Sequence, residues 1–338
     1  MAIEAAAQSD AHPLTGTFRF SGPALASTTM KLMLTRWFDA ALLATASLAA
    51  HAVQVDFRPV ADGVYVHVGD TGARTADNEG LNANIGLVVT PAGAVLIDSG
   101  ATFRSAADIA QAARKVTAQP IRWVVNTGGQ DHRWLGNGWF KAQGAELIAH
   151  AGAEADMKNR GNDHLQALKT VLGSKADGTV PTLPTHWLKG NDEQLEFGGV
   201  VLAFKYRGGA HTPGDLMVWL PQKQVLFTGD VVYVDRLLGV LPVSNTRQWL
   251  ATFAVVEQLA PVVLVPGHGR VTNLATAQAD TQAYLVALRA HMKQAVDAGT
   301  DVSAAVKSFD ATPYRRLHNA AELMPGNASR AYLELERE

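Results

Sequence analysis

Short apolar runs, bounded by Gly, Pro, Asn and Asp, recur along the chain in two similar halves. Alternating apolar and polar positions are typical of half-buried strands, and continuous short apolar runs are typical of buried ones. In the first half they predict strands at 64–68, 84–89, 94–97, 121–125 and 145–149. In the second half they predict strands at 200–206, 216–220, 225–227 and 262–265.

Apolar residues at helical spacing, without breakers, separate these runs and follow them. They predict helices at 103–117, 151–160, 246–259 and 275–298, and a helical tail over 302–338. The polar stretch 161–184 is interpreted as a helix plus a loop over a pocket. Two halves of this kind indicate two sheets packed face to face with helices outside. We treat 53–300 as one domain and 301–338 as a helical extension of it.

The beginning of the chain has a different pattern. Lys31 and Arg36 precede an apolar stretch, 40–50, and Ala50-His51-Ala52 follows with small residues around one larger one. This order of positive region, apolar region and cleavage pattern is that of a secretory signal peptide. The apolar run is too short to remain as a membrane-spanning helix.

We therefore expect residues 30–52 to be a signal peptide and the mature chain to begin near Val53. The protein would then be periplasmic or secreted, and cytoplasmic if the segment is not processed. Residues 1–29 precede the signal and are interpreted as a non-native or unstructured extension, with Met30 as the true start.

Composition narrows the function classes. Of 338 residues, 47% are apolar and 18% are charged, and the net charge of -2 includes no basic block. This charge does not favour nucleic acid or an anionic membrane as partner, so a small-molecule substrate is expected. The chain contains no cysteine, which excludes disulfides, cysteine–zinc sites and a cysteine nucleophile. The oligomeric state stays open.

Three motifs stand directly after predicted strands: GGAHTPGD, LFTGD and VPGHG. Each places a His or an Asp among Gly and Pro, where a side chain is rigidly supported and accessible. Neutral imidazole and carboxylate are ligands that suit zinc. The candidate ligands in these motifs are His211, Asp230 and His268.

These motifs, in this order and after the opening NANIGLVVTPAGAVLIDSG, resemble the metallo-β-lactamase superfamily over residues 55–290. The resemblance implies an α/β (α+β) fold, a four-layer αβ/βα sandwich with a metal site at one edge. It implies that His211 is the third His of a first metal site. Asp230 would bridge two metals or serve the second, and His268 would be the last His of the second site. Asp98 would brace the ligand loops by hydrogen bonds.

The stretch NTGGQDHRWLGN departs from the family pattern Asn-Thr-His-x-His-x-Asp-His-x-x-Gly-Asn. An ungapped register retains Asn126, Thr127, Gly136 and Asn137. The four ligand positions are then occupied by Gly128, Gln130, His132 and Arg133. A shift by one residue would match Asp131-His132 to the family's Asp-His. That shift breaks the Gly-Asn spacing and restores neither earlier His, so we prefer the ungapped register.

On this register two of the three His ligands of the first metal are absent, and His211 alone would hold a metal weakly. His132, Asp230 and His268 could still form a set of two imidazoles and one carboxylate with an open position for water. Arg133 argues against this site, because a fixed cation repels a metal. It could instead pair with Asp230 or hold an anionic substrate.

The first hypothesis is therefore a metal-dependent hydrolase, with zinc as the metal and one ion rather than two. Asp230 and His132 would act in catalysis, Arg133 or Gln130 would orient the substrate, and Asp98, Gln130 and Asp131 would support the site. The alternative is a non-catalytic protein that binds a small molecule or an anion without metal. A metal-free hydrolase using His132 with Asp131 is disfavoured, because adjacent loop residues seldom contact each other usefully.

Overall fold

The computed structural model of the protein describes residues 16–17, 19 and 53–338. Residues Val53–Glu338 form one compact unit. Apart from residues 16, 17 and 19, the expected extension 1–29 and the expected signal peptide 30–52 lie outside the described residues and stay predictions. Among the described residues, no helix has the length and apolar character needed to cross a membrane.

The first sheet contains seven strands, in the same order in space as along the chain. The first four pair antiparallel, and the fourth to the seventh pair parallel. The strands are β1 (Arg58–Ala61), β2 (Val64–His67), β3 (Ile85–Thr90), β4 (Gly93–Ile97), β5 (Ile121–Val125), β6 (Glu146–His150) and β7 (His186–Leu188).

The second sheet has five strands in the order β12-β11-β10-β9-β8. Strands β11 and β12 pair parallel, and the other neighbours pair antiparallel. The strands are β8 (Asp192–Phe197), β9 (Val200–Tyr206), β10 (Leu216–Leu220), β11 (Val225–Phe227) and β12 (Val263–Val265).

Helices follow the strands and cover both sheets. Those of the first half are α1 (Phe103–Val116), α2 (Asp131–Trp134), α3 (Asn137–Ala142) and α4 (Glu154–Leu172). Those of the second half are α5 (Thr246–Leu259), α6 (Leu274–Ala277), α7 (Ala283–Asp297), α8 (Val302–Ser308) and α9 (Ala320–Leu335). A π-helical turn, Gln278–Gln282, joins α6 to α7.

Side-chain alternation divides each strand of the first sheet between two layers. In β4, Val95 and Ile97 pack with residues of the second sheet such as Phe204. Leu96, between them, packs under Ile109 of α1. Successive strand residues point to opposite faces, so two cores form from one continuous apolar run.

The outer face of the second sheet packs against the helices of the second half. Met217 and Leu226 share a core with Trp249 of α5, Leu288 of α7 and Ala331 of α9. The order of layers is therefore helix, sheet, sheet, helix, which confirms the predicted four-layer αβ/βα sandwich.

The helix expected at 151–160 and the helix expected within 161–184 form one continuous helix in the structure. A short turn, Ala151–Ala153, leads into α4, which continues to Leu172 and ends at Gly173 with φ 57. The sequence of α4 is mostly polar and shows little helical periodicity, but Leu168 and Leu172 are buried in a core beneath the helix. Tertiary burial thus extends a helix whose sequence alone is weakly amphipathic.

Candidate metal centre

Two pairs of parallel strands bring the motif residues to one edge of the sandwich. Phe227 of β11 is opposite Val265 of β12. Asp230 and His268 each follow three residues later, so both side chains emerge side by side. In the first sheet Ile97 is opposite Val125. The loops after β4 and β5 therefore also meet at this edge.

The structure brings His132, Asp230 and His268 together in one buried cluster. His132 Nε2 lies 3.2 Å from Asp230 Oδ2, and His268 Nε2 lies 3.2 Å from Asp230 Oδ1. One ligand atom from each residue lies within 4.8 Å of the others. All three side chains are almost completely buried. This is the set of two imidazoles and one carboxylate that the sequence suggested.

A backbone carbonyl determines the tautomer of His268. Its Nδ1 lies 2.5 Å from the carbonyl oxygen of Asn82, which can only accept a hydrogen bond. The proton of a neutral ring must therefore be on Nδ1, and Nε2 presents a lone pair to Asp230. Burial lowers the pKa of His268 well below its usual value, so the ring is neutral.

The Arg133 guanidinium lies against Asp230, and the expectation that it contacts substrate must be corrected. Nε donates to Asp230 Oδ2 at 3.2 Å, and Nη2 donates to Asp230 Oδ1 at 2.5 Å. Its other three N–H groups bond to Asp98, Asn84 and Gly267. The side chain is 1% exposed. With every donor satisfied by the protein, Arg133 has none left for an anionic substrate.

Charges of opposite sign set the protonation of the cluster. Burial by itself raises the pKa of Asp230, but the charge of Arg133 and the interaction with His132 hold that pKa well below the usual range. Burial lowers the pKa of His132 to about 4, against the attraction of Asp230. Asp230 is thus an ionised carboxylate between two neutral imidazoles.

His211, a predicted metal ligand, stays outside the group of three. Its Nδ1 donates to the carbonyl of Gly239 at 2.8 Å, and its ring packs edge-on against Tyr233 and Trp249. Burial lowers the pKa of His211 to about 4, and the charge of Asp230 opposes this shift. The ring is therefore neutral and held beside the cluster, without belonging to it.

Asp98 braces the loop that carries His132. Its carboxylate accepts from the Thr127 backbone N–H at 2.7 Å and from the Thr127 hydroxyl at 2.8 Å. Asp98 has φ 67, a left-handed conformation in which Asp is enriched. The amides of Asn126 and Asn137 bond to each other, at 2.8 and 3.0 Å. These contacts explain why the framework of the altered motif is intact.

The position of the family's first His has no room for a side chain here. A Cβ on Gly128 would lie 2.5 Å from Asp215 Oδ1. Asp215 accepts from the Thr212 backbone N–H at 2.7 Å and is fully buried. Burial raises its pKa to about 8, helped by the charge of Asp230. Asp215 thus occupies the space beside Gly128, a relation that the sequence motif GGAHTPGD did not disclose.

A cavity of about 380 Å³ lies next to the cluster. Gln130 and Asp131, predicted to support the site or meet substrate, are in its wall, as is Asn82, which holds His268. Asp131 lies 3.2 Å from His132 Nδ1 and forms an ion pair with Arg74. The sequence interpretation gave no role to other wall residues, among them Arg74, Asn82 and Arg236. Asn82 opens the stretch NANIGLVVTPAGAVLIDSG, and the two arginines lie outside every motif. His164, from α4, also lines the cavity.

Comparison with known proteins finds similar sequences and similar folds. The sequence model of the metallo-beta-lactamase superfamily matches residues 78–268. A metallo-beta-lactamase type 2 of Bacillus cereus is 29% identical over 140 residues, 37% of this chain and 51% of that protein. The same enzyme type from Bacillus sp. (strain 170) is 28% identical over 135 residues. The chain spans about half the length of these curated relatives.

Solved structures show the same fold. A metallo-beta-lactamase from Pontibacter korlensis superimposes with a TM-score of 0.55 and 21% identity, over 69% of this chain and 99% of that one. The FIM-1 metallo-beta-lactamase of Pseudomonas aeruginosa, in its mono-zinc form, superimposes with a TM-score of 0.55 and 20% identity, over 68% and 94% of the two chains. At these identities the likeness describes the fold alone.

Proposed function

The chain belongs to the metallo-β-lactamase superfamily, and on that premise we propose that it is a hydrolase that uses one metal ion, zinc, held by His132, Asp230 and His268. The contact that carries the proposal is between His268 Nε2 and Asp230 Oδ1, 3.2 Å apart. A lone pair faces an ionised oxygen there, because the proton of His268 is on Nδ1. Two acceptors at this distance repel each other, and Arg133 donates to Asp230 Oδ1 but not to His268, so a metal ion held by the two residues would relieve the contact.

The donor set of the cluster fits zinc. Zinc binds neutral imidazole nitrogens and carboxylate oxygens, and a ligand His commonly donates its other N–H to a carbonyl, as His268 does to Asn82. Each carboxylate oxygen has two acceptor sites. Arg133 uses one site on each oxygen of Asp230, and the other sites face His132 and His268.

One ion is favoured over two. Gly128 and Gln130 replace two ligands that the family resemblance implies, and Asp215 lies where a side chain at 128 would begin. His211 retains a lone pair on Nε2, since its Nδ1 donates to Gly239. A single imidazole does not make a second site. Within the part of the chain that the structure describes, His132, Asp230 and His268 are the group with metal-binding geometry.

A zinc ion held there would supply Lewis acidity for the cleavage of an ester, an amide or a related bond. The protein's own residues prepare the site for this chemistry. Arg133 keeps Asp230 ionised, and the Asn82 carbonyl keeps the proton of His268 away from the cluster. Burial excludes bulk water, which strengthens these interactions. A small substrate entering from the cavity would pass Asn82, Gln130 and Asp131.

The alternative is an anion-binding protein without catalysis, and it is supported by two arginines in the cavity wall. Arg236 Nε is buried without a hydrogen-bond partner, and Arg74 lines the same cavity. Arg236 and Arg74, rather than Arg133, would hold the anion. Hydrolysis remains the better supported function, because a purely anion-binding site would not need His268 to direct a lone pair at Asp230.

Metal content tests the proposal. Protein purified from zinc-supplemented medium should contain about one equivalent of zinc. His268→Ala and His132→Ala should lower this content about tenfold or more. His186→Ala, on the surface and bonded to Glu146, is the matched control and should retain the metal. Wild-type protein with less than about a tenth of an equivalent would contradict the proposal.

A substrate screen follows if zinc is present. Lactam, thioester, lactone, phosphodiester and sulfate ester compounds cover the bonds that such a site could cleave. An activity of the wild type that is lost in His268→Ala, together with its zinc, supports the hydrolase. The alternative would be favoured if the wild-type protein contains no zinc but binds anions, and if Arg236→Ala loses that binding.

A further inference from the structure

The guanidinium of Arg133 joins segments that are far apart in the sequence. Its five N–H groups make five hydrogen bonds, from 2.5 to 3.3 Å long. The acceptors belong to the residue before β3, the residue after β4, the turn after β11 and the loop after β12. They are the carbonyl of Asn84, the carboxylate of Asp98, both oxygens of Asp230 and the carbonyl of Gly267.

We propose that Arg133 is a built-in cation that holds these four segments together in place of a second metal ion, so that the site is assembled before any metal binds. A metal ion in such a cluster neutralises carboxylates and binds oxygens from several loops at once. Arg133 does both with one planar group. The inference concerns the metal-free protein and does not depend on the proposed hydrolase activity.

The charges around Arg133 support this role. Asp98 and Asp230 are both almost completely buried, with exposed fractions of 2% and 1%. A buried carboxylate without a compensating charge is strongly unfavourable. Arg133 contacts both carboxylates directly, at 2.9 and 2.5 Å.

The surrounding backbone is shaped to receive the guanidinium. A Cβ on Gly267 would lie 2.5 Å from Arg133 Nη2 and 2.6 Å from Asp230 Oδ1. Only glycine at 267 therefore permits the close contact. The backbone of Arg133 is also fixed, since its carbonyl accepts from Asn126 at 2.8 Å and from the Ser99 N–H at 3.0 Å. The side chain enters the cluster from a rigid base.

The test compares the thermal midpoints of metal-free wild type, Arg133→Lys, Arg133→Met and Arg133→Ala, all measured in the presence of a chelator. Arg133→Met, which removes the charge, should lower the midpoint by roughly 10 °C, and Arg133→Lys should lie between it and wild type. Arg114→Met, an exposed arginine of α1, should match wild type. Equal midpoints for Arg133→Met and wild type would overturn the proposal.

Chemical rescue gives a readout that a packing role alone would not produce. Guanidinium chloride at about 20 mM, far below denaturing concentrations, should raise the midpoint of Arg133→Ala by several degrees and leave wild type unchanged. Sodium chloride at the same concentration should not. Failure of guanidinium to raise the midpoint of a folded Arg133→Ala would count against the built-in cation.

If Arg133→Met and Arg133→Ala do not fold, the carboxylates provide the test. Removing their charge with Asp98→Asn and Asp230→Asn should allow a protein with Arg133→Met to fold, because no buried anion then lacks a partner. A triple variant that remains unfolded would show that Arg133 acts through its shape and not its charge, and would overturn the proposal.

Discussion

At the scale of single residues, two substitutions in the altered motif have different structural meanings. Gly128 leaves a space that Asp215 already occupies, with its Oδ1 only 2.5 Å from where a Cβ would be. Arg133 instead fills its position completely and forms ion pairs with Asp230 and Asp98. The substituted residues therefore fit the residues around them, and we expect that restoring one family residue alone does not restore the family's site.

Gly128→His should accordingly fail to create a second metal site. The new side chain would collide with Asp215, so we expect a loss of roughly 1–3 kcal/mol in the free energy of unfolding and no gain in bound zinc. Thermal denaturation and metal analysis measure both. Gln130→His, at the other missing ligand position, is the comparison. Two equivalents of zinc in the combined variant, without loss of stability, would contradict the single-ion site.

Buried titratable groups should give the metal-free protein a stability maximum near pH 6.5. His132 and His211 have pKa values lowered to about 4, so the unfolded chain takes up protons first as pH falls below about 6.5. The unfolding free energy should therefore fall by up to about 1.4 kcal/mol per pH unit for each of these histidines. His268, with its pKa lowered well below the usual value, acts in the same direction.

Asp215 has the opposite effect. Its pKa is raised to about 8, so the folded protein holds a proton that the unfolded chain has lost, and stability falls as pH rises toward 8. Below pH 6.5, the effect of Asp215 on the pH dependence of the unfolding free energy cancels the effect of one histidine. Urea midpoints with a chelator present, taken on both sides of the maximum, measure this. Asp215→Asn should abolish the fall on the alkaline side, and an unchanged profile would refute the assignment.

At the scale of elements, the C-terminal helix α9 supports the site from the far side of the second sheet. Asn327 in α9 is buried, donates to the Leu238 carbonyl at 2.8 Å and accepts from the Val240 N–H at 2.7 Å. Between these two residues lies Gly239, whose carbonyl accepts from His211. A helix outside the candidate metal centre thus fixes the loop that orients His211 beside it.

Asn327→Ala should therefore destabilise the protein by about 3 kcal/mol, because buried backbone groups lose their partners. Leu333→Ala, at an exposed position of the same helix, should have a much smaller effect. Chemical denaturation measures both, and the ring resonances of His211 in NMR spectra should shift in Asn327→Ala. Equal stability of the two variants would contradict the role given to α9.

At the scale of the whole molecule, the described unit begins at the residue where the signal peptide is expected to end. Residues Val53–Glu338 form the compact unit, and the cleavage pattern Ala50-His51-Ala52 directly precedes it. We propose that the protein is exported and cleaved after this pattern. The proposal rests on the sequence pattern of residues 30–52.

Expression from Met30 in a bacterium should place the protein in the periplasm with an N-terminus near Val53, since the apolar run is long enough to be recognised but too short to anchor. Cell fractionation and N-terminal sequencing measure this. Replacement of Leu42 and Leu43 by Arg is the control and should retain the protein in the cytoplasm. An uncleaved cytoplasmic product from the unaltered gene would contradict the proposal.

Local patterns in the sequence determined much of the fold. Nine of the twelve strands were predicted within one or two residues, where apolar runs are short and bounded by turn residues, as in β5 and β9. Strands β1, β7 and β8 were not predicted. The strand-end positions of Asp98, Asp230 and His268 followed from the same patterns. This works because alternation and helical periodicity are properties of neighbouring residues. A helix within 161–184 was also predicted, but its continuity with the helix before it was not, because that continuity depends on burial against a distant core.

Only the tertiary structure decided what the altered motif does. Arg133 is 97 positions from Asp230 and 35 from Asp98, and no local pattern shows that one guanidinium contacts both. The exclusion of His211 from the cluster and the occupation of the space beside Gly128 by Asp215 are decided in the same way. Buried charge is stabilised by whichever group lies within hydrogen-bond distance, and folding alone brings those groups together.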